Sequence, residues 1–151
     1  MWDGVKDLKQ VCQALGIEKS GNISSYLQEL ITAGFVSEDT TWNILKKTPS
    51  NLKKFRLKDN YIRFYLKFIE PNKIKIEHGS FSSTSLESFN GWETILGLQF
   101  ENLVLNNISQ ISKLIGIHEY EVAGPFFQRN TKHTKGCQVD LLIETKSNTL
   151  Y

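Results

Sequence analysis

The stretch GNISSYLQELITAGFV, residues 21–36, decides how this chain is read. Its apolar residues Ile23, Tyr26, Leu27, Leu30 and Ile31 recur at the three- and four-residue spacing of an amphipathic helix. Asn22 stands where a side chain can accept a hydrogen bond from the first turn, whose N–H groups have no helical partner, and Gly34 marks the end. Working outward, Val5, Leu8, Val11, Cys12 and Leu15 keep the same spacing and predict a helix over residues 5–15, stopped by Gly16. Lys19-Ser20-Gly21 reads as the turn between the two helices. On the other side, Phe35-Val36 with Trp42-Asn43-Ile44-Leu45, and then Lys54-Phe55-Arg56-Leu57, read as two short strands around a basic loop.

Helix, turn, helix and then a two-stranded ribbon is the order of a winged helix-turn-helix, and residues 21–36 resemble the recognition helix and exit of that fold. The resemblance implies that Asn22, Ser24, Ser25 and Gln28 project from the exposed face of the second helix, and that Lys46, Lys47, Lys53 and Lys54 lie on or beside the wing. Small polar side chains in that position suit phosphate contacts and occasional base readout. The same face carries no Arg and includes Glu29, so packing against a neighbouring domain stays open as its role.

Composition bounds the rest. A chain of 151 residues with 40% hydrophobic content is rich enough in apolar side chains to fold. No apolar run approaches the roughly 18 residues that span a bilayer, and MWDGVKDLKQ lacks the layout of a secretory signal, so the expectation is a cytoplasmic protein with no membrane partner. Cys12 and Cys137 belong to no metal or disulfide spacing and read as idle thiols; His78, His118 and His133 share no ligand spacing and read as surface or capping residues. The net charge of +2 conceals a basic centre: residues 46–75 hold ten Lys or Arg against Asp59 and Glu70 alone. Such a run is either a nucleic-acid footprint or a solvated face.

Beyond the ribbon, Asp59-Asn60 caps a helix expected to run to Ile69 and to stop at Glu70-Pro71. The polar stretch 72–90, with His78-Gly79-Ser80 and a Ser/Thr cluster, reads as a connection. A long helix is expected over Trp92 to Ile108. On it Glu101 has Gly97, Leu98, Val104 and Leu105 as helical neighbours, so its carboxylate should be partly dehydrated and need a partner. Short strands follow at Ile117–Val122 and Pro125–Gln128, then a basic loop over 129–136, then a buried strand at Cys137–Ile143. Period two puts Gln138, Asp140, Leu142 and Glu144 on one face of that strand.

An acid on such a strand, after a helix carrying Glu101, resembles the PD-(D/E)XK nuclease superfamily. Three stretches, KKFRLKDNYIRFYLKFIEPN (53–72), LGLQFENLVLNN (96–107) and GPFFQRNTKHTKGCQVDLLIETKSNTLY (124–151), together resemble the C-terminal part of archaeal- and bacterial-type AAA+ ATPases. Those proteins end in a winged helix and a nuclease-like domain, and with residues 21–36 the likeness covers essentially the whole chain. It implies an α+β fold: a winged helix-turn-helix with an added helix over 1–75, a connection over 76–90, and an incomplete α/β restriction-endonuclease-like domain over 91–151. It also implies that Glu101 is the helix acid and Asp140 the strand acid, both catalytic and magnesium-binding in a complete site, with Gln138 where many members have a second glutamate.

Glu144-Thr145-Lys146 reproduces the ExK pattern, but it continues the strand that holds Asp140. At about 3.3 Å per residue the two acids are roughly 13 Å apart, too far to share one magnesium. The ExK should therefore come from an antiparallel neighbour that Leu150-Tyr151 begins, across a turn at 146–149. No GxxxxGK[ST] occurs, so ATP is expected in a module outside this chain and no cofactor within it; both ends read as cut.

Three functions stay open on the sequence. The first is the nucleic-acid-associated C-terminal region of an AAA+-type ATPase, with DNA as partner and with the wing and the Arg129, Lys132, Lys135 loop on phosphates. The second is part of a magnesium-dependent nuclease. The third is a protein interaction module, whose partners are the ATPase module, another protein, or a second copy paired through the unfinished sheet edge.

Overall fold

The helix expected over residues 5–15 begins at Leu8, and the reason lies across the fold. In the computed structural model, which describes residues 3–18 and 20–151, Lys6 exchanges two backbone hydrogen bonds with Phe55 at 3.0 and 2.7 Å, so its backbone serves a bridge rather than a helix. Asp7 then caps α1 (Leu8–Leu15) reciprocally: its carboxylate accepts from the Gln10 N–H at 2.9 Å, and the Gln10 amide oxygen accepts from the Asp7 N–H at 2.8 Å. Gly16, at φ 66°, closes the helix in the left-handed region that glycine enters without a Cβ penalty.

The Lys19 part of the expected turn lies outside the described residues. Helix α2 (Gly21–Thr32) starts one residue before the expected cap: Ser20 occupies the cap position and Asn22 is inside the first turn. Ile23, Leu27 and Ile31 supply the buried side, whereas Tyr26 is 59% and Leu30 39% exposed, so the stripe is narrower than the spacing predicts. Leu27 joins Val11, Val36 and Phe55 in a small core edged by Leu8, Ile23 and Ile31.

The ribbon is longer than expected. Strands β1 (Val36–Asn43) and β2 (Thr48–Leu57) pair in a two-stranded sheet, and Ile44 and Leu45, expected in the first strand, lie in the turn instead. The Asn43 carboxamide oxygen accepts from the Lys46 N–H at 2.9 Å, and Lys47 takes a positive φ of 53°, which together reverse the chain there.

Asp59 caps α3 (Asn60–Phe64) through the Ile62 N–H at 2.8 Å, as its sequence predicts. The helix does not stop at Pro71. It loosens into a wide π turn over Tyr65–Ile69, tightens over Glu70–Asn72, and continues as α4 (Lys73–Glu77), inside the stretch expected to be a connection. Pro71 falls in the first positions of the tight turn, where the change from the wide to the tight register accommodates a residue without an N–H. Phe68 packs against Phe64, Phe89 and Trp92 with ring centroids 5.4–5.7 Å apart, and Ile95 is wholly buried.

Helix α5 (Trp92–Asn106) ends two residues early because Asn107 leaves helical geometry and turns its side-chain amide back on the Leu103 carbonyl at 2.7 Å. A further helix, α6 (Ile108–Leu114), follows, where the sequence pattern predicts none. The strand expected at Ile117 begins only at Val122: β3 (Val122–Gln128) runs through Pro125 with a bulge between Gly124 and Phe126, where a residue without an N–H costs the ladder least.

It pairs antiparallel with β4 (Cys137–Glu144), Phe127 opposite Gln138 and Val122 opposite Glu144. The fully buried strand expected here is buried only at its far end: Cys137 to Asp140 are exposed, and Ile143 and Glu144 are 2% and 1% exposed. Past a turn with Asn148 at φ 61°, Tyr151 and Ile143 exchange two backbone hydrogen bonds of 3.0 Å, an antiparallel return as expected of Leu150-Tyr151.

The whole is mixed helix and sheet, an α+β chain, in two compact units that are not continuous in sequence. The first comprises residues 1–37 and 55–100, and the second residues 38–54 and 101–151. Thus the base of the β1–β2 ribbon belongs to the first unit and its distal part to the second. No described helix is long and apolar enough to cross a membrane.

Candidate nucleic-acid interface

In the first unit the polar face of α2 is as the sequence expects. Asn22, Ser24, Ser25 and Gln28 are all exposed, whereas Leu27 is buried in the core and Ile23 and Ile31 pack against it. A helix whose buried face is fully used by its own core leaves this polar face for solvent or a ligand.

The four lysines of the ribbon are in the second unit, and three of them are engaged there. The Lys47 ammonium pairs with the buried Glu144 carboxylate, which is 1% exposed. Lys53 pairs with Glu38 at 2.6 Å. Lys54 donates to the Gln138 amide oxygen at 2.8 Å and lies 4.9 Å above the centre of the Phe127 ring. Lys46 is exposed. The Phe127 N–H also donates to Thr41 Oγ1 at 3.1 Å, a buried bond from the same ribbon. So the distal ribbon is fastened to β3 and β4 by side chains 84 to 97 positions apart in the chain. No local pattern announces such pairings, which is why the sequence alone leaves these lysines on a free wing.

The basic loop between β3 and β4 differs. Arg129, Lys132 and Lys135 are exposed, and the loop is organised by its own polar residues: Thr131 Oγ1 accepts from the N–H groups of His133 and Thr134, and the Asn130 side chain accepts from the Gly136 N–H. Gly136 is required by packing. A Cβ there would sit 2.9 Å from the Gln128 carbonyl oxygen and 3.0 Å from the Asn130 nitrogen, both backbone atoms that cannot swing away. Three cations are therefore presented on a shaped loop.

Of the acids, Glu101 is half-buried and engaged by a partner, as its apolar helical neighbours require. Asp140 is exposed on β4. These residues do not by themselves fit a hard divalent cation: the position for a second acid holds Gln138, whose amide oxygen already faces the Lys54 ammonium. Among the described residues no group of three or more His, Cys, Asp or Glu side chains could hold a metal ion. Glu144 is taken by Lys47, and Lys146 pairs with Glu119 at 2.9 Å, so neither end of Glu144-Thr145-Lys146 addresses Asp140. Bonding and attraction from Lys146 hold the Glu119 carboxyl below its usual range, and Glu119 raises Lys146 in return. His78, His118 and His133 are exposed; Cys12 is buried and Cys137 exposed.

The second unit also contains a cleft of about 650 Å³ between the distal ribbon and β3 with its loop. Half-buried Trp42 and Phe126 wall it, and Asn51, Gln128 and Arg129 lie at its rim. The sequence signals Trp42 and Phe126 only as strand residues.

Comparison with known proteins adds little to this geometry. No protein family's sequence profile matches the chain, and no solved structure matches it. It is similar to the uncharacterized protein MJECL04 of Methanocaldococcus jannaschii, with 28% identity over 111 residues. The match covers 74% of this chain and 24% of that protein, so the chain corresponds to about a quarter of its relative's length.

Proposed function

We propose that this chain is the nucleic-acid-associated C-terminal region of an AAA+-type ATPase of the cytoplasm, a winged helix-turn-helix followed by part of a restriction-endonuclease-like domain. The observation that carries the reading is the exposure of the polar α2 residues Asn22, Ser24, Ser25 and Gln28, beside Glu29 and with no Lys or Arg in the helix, in a helix followed by a β-ribbon. The exposed Arg129, Lys132 and Lys135 supply the positive charge that α2 lacks. Because Lys47, Lys53 and Lys54 already have partners, the electrostatic contribution falls mainly to that loop. The chain acts as a holder of DNA for the ATPase, not as a nuclease.

Binding to fluorescent duplex DNA at several salt concentrations tests this. The wild-type chain binds with a steep salt dependence. Changing Arg129, Lys132 and Lys135 to Glu weakens binding and flattens the slope by about 3, near one unit for each phosphate that is no longer neutralised. Changing Asn22, Ser24, Ser25 and Gln28 to Ala weakens binding with little change in slope. Absence of duplex binding by the folded wild-type chain would reject the proposal and leave the exposed faces to protein partners.

A further inference from the structure

We infer that the cleft in the second unit receives an unstacked base of a single nucleic-acid strand, which deepens the proposed function and rests on it. The cleft volume of about 650 Å³ lies within the range of small-ligand sites, large enough for a nucleobase with its sugar and phosphate. Trp42 and Phe126 give it aromatic walls, and Leu52 extends the apolar lining. Stacking on such side chains is the common way proteins hold single-stranded bases, because every base has a π-face.

The rim has the complementary chemistry. Asn51 is exposed, and Gln128 spends its side-chain N–H on the Lys135 carbonyl at 3.2 Å, which leaves its amide oxygen as an acceptor for a base edge. Arg129 lies at the mouth and begins the exposed basic loop that continues through Lys132 and Lys135, a track for the adjoining phosphates. The Trp42 ring is half-buried, held in the ribbon with one side lining the cleft, so it is a fixed surface on which a base can stack. An unfunctionalised apolar ligand would leave the polar side chains and the basic loop unused, so a base-bearing strand fits the cleft better.

The test compares the affinity of the whole chain for four probes: a short oligothymidine, an abasic strand of the same length and charge, a duplex, and thymidine monophosphate. The oligothymidine should bind about tenfold more tightly than the abasic strand and quench tryptophan emission. Trp42→Leu should bring that ratio close to one while duplex affinity stays unchanged. Phe126→Leu should do the same, and it decides the matter if melting by circular dichroism shows that Trp42→Leu does not fold. Equal affinity for oligothymidine and abasic strand, with duplex binding retained, overturns the base site and leaves the proposed function standing. Thymidine monophosphate binding as tightly as the oligothymidine overturns the strand in favour of a free-nucleotide pocket. Failure of every probe, including the duplex, rejects both.

Discussion

The two units hold themselves together by different means. In the first, Val11, Leu27, Val36 and Phe55 meet in an aliphatic and aromatic core, and Phe68 gathers a second set of rings. In the second, apolar burial at Ile117, Phe127 and Ile143 is accompanied by a buried carboxylate, Glu144, and by lysines that reach strands far along the chain. Hydrophobic burial is non-directional and tolerates approximate placement. A buried charge demands one partner in one place, because leaving it unpaired costs more than the pair gains. The first unit also buries charge, at Arg56 and Arg63, but the Arg63 guanidinium donates to the Leu57 carbonyl six residues away. There the bond is local, while the second unit depends on a few long-range pairings.

The largest effect expected from this contrast is in the first unit. Leu27→Ala should cost about 3 kcal/mol, since truncating a buried leucine removes both transfer energy and the packing around the cavity. Urea unfolding measures the loss. Hydrogen exchange localises it, with protection falling at the Val11 and Val36 amides well before the β3–β4 ladder; equal loss in both units would mean that they open as one.

A smaller effect is expected in the second unit. Lys47→Ala should cost about 2 kcal/mol, less than a fully buried pair because the lysine is 44% exposed, and more than an exposed one because Glu144 is not. Adding Glu144→Leu to that variant should restore stability to near the wild-type value, since an apolar residue needs no counterion. If the double variant is as unstable as the single one, Glu144 serves in some other way than as Lys47's partner.

The smallest effect belongs to the exposed Glu119–Lys146 pair. With the Glu119 carboxyl held low, its contribution is present above the ordinary carboxylate range and fades as pH falls through the lowered value. Lys146, held high, contributes below the ordinary lysine range, and that contribution fades as pH rises through the raised value. Carbon-detected NMR titration should find the Glu119 midpoint low in the wild-type chain and back at the ordinary value in Lys146→Ala, with unfolding midpoints nearly unchanged.

The sequence exposes these regions unequally, for the same physical reason. Val11, Leu27, Ile23 and Ile31 announce their helices through spacing, and Asp59 announces its cap, because the interactions lie within a turn or two. Pro71 misleads because a proline in the first positions of a new turn looks like a stop. The helix at Ile108–Leu114 is obscured by the apolar pattern running through Asn107. The exposed polar residues of α2 follow from helical spacing and the winged-helix resemblance, and the basic loop from its run of Arg and Lys. The Lys54–Gln138 and Lys47–Glu144 pairings are not, since nothing near Lys47 refers to a residue 97 positions later.

That separation also has a meaning in time. A ribosome adding about 5–20 residues each second needs roughly 5–20 s to travel from Lys47 to Glu144. Throughout that interval the distal ribbon lacks the last of the strands it fastens to, and Trp42 and Ile44, half-buried in the folded chain, stand bare on a nascent one. The second unit is therefore assembled late, and its ribbon is the segment on which a chaperone would find purchase during synthesis.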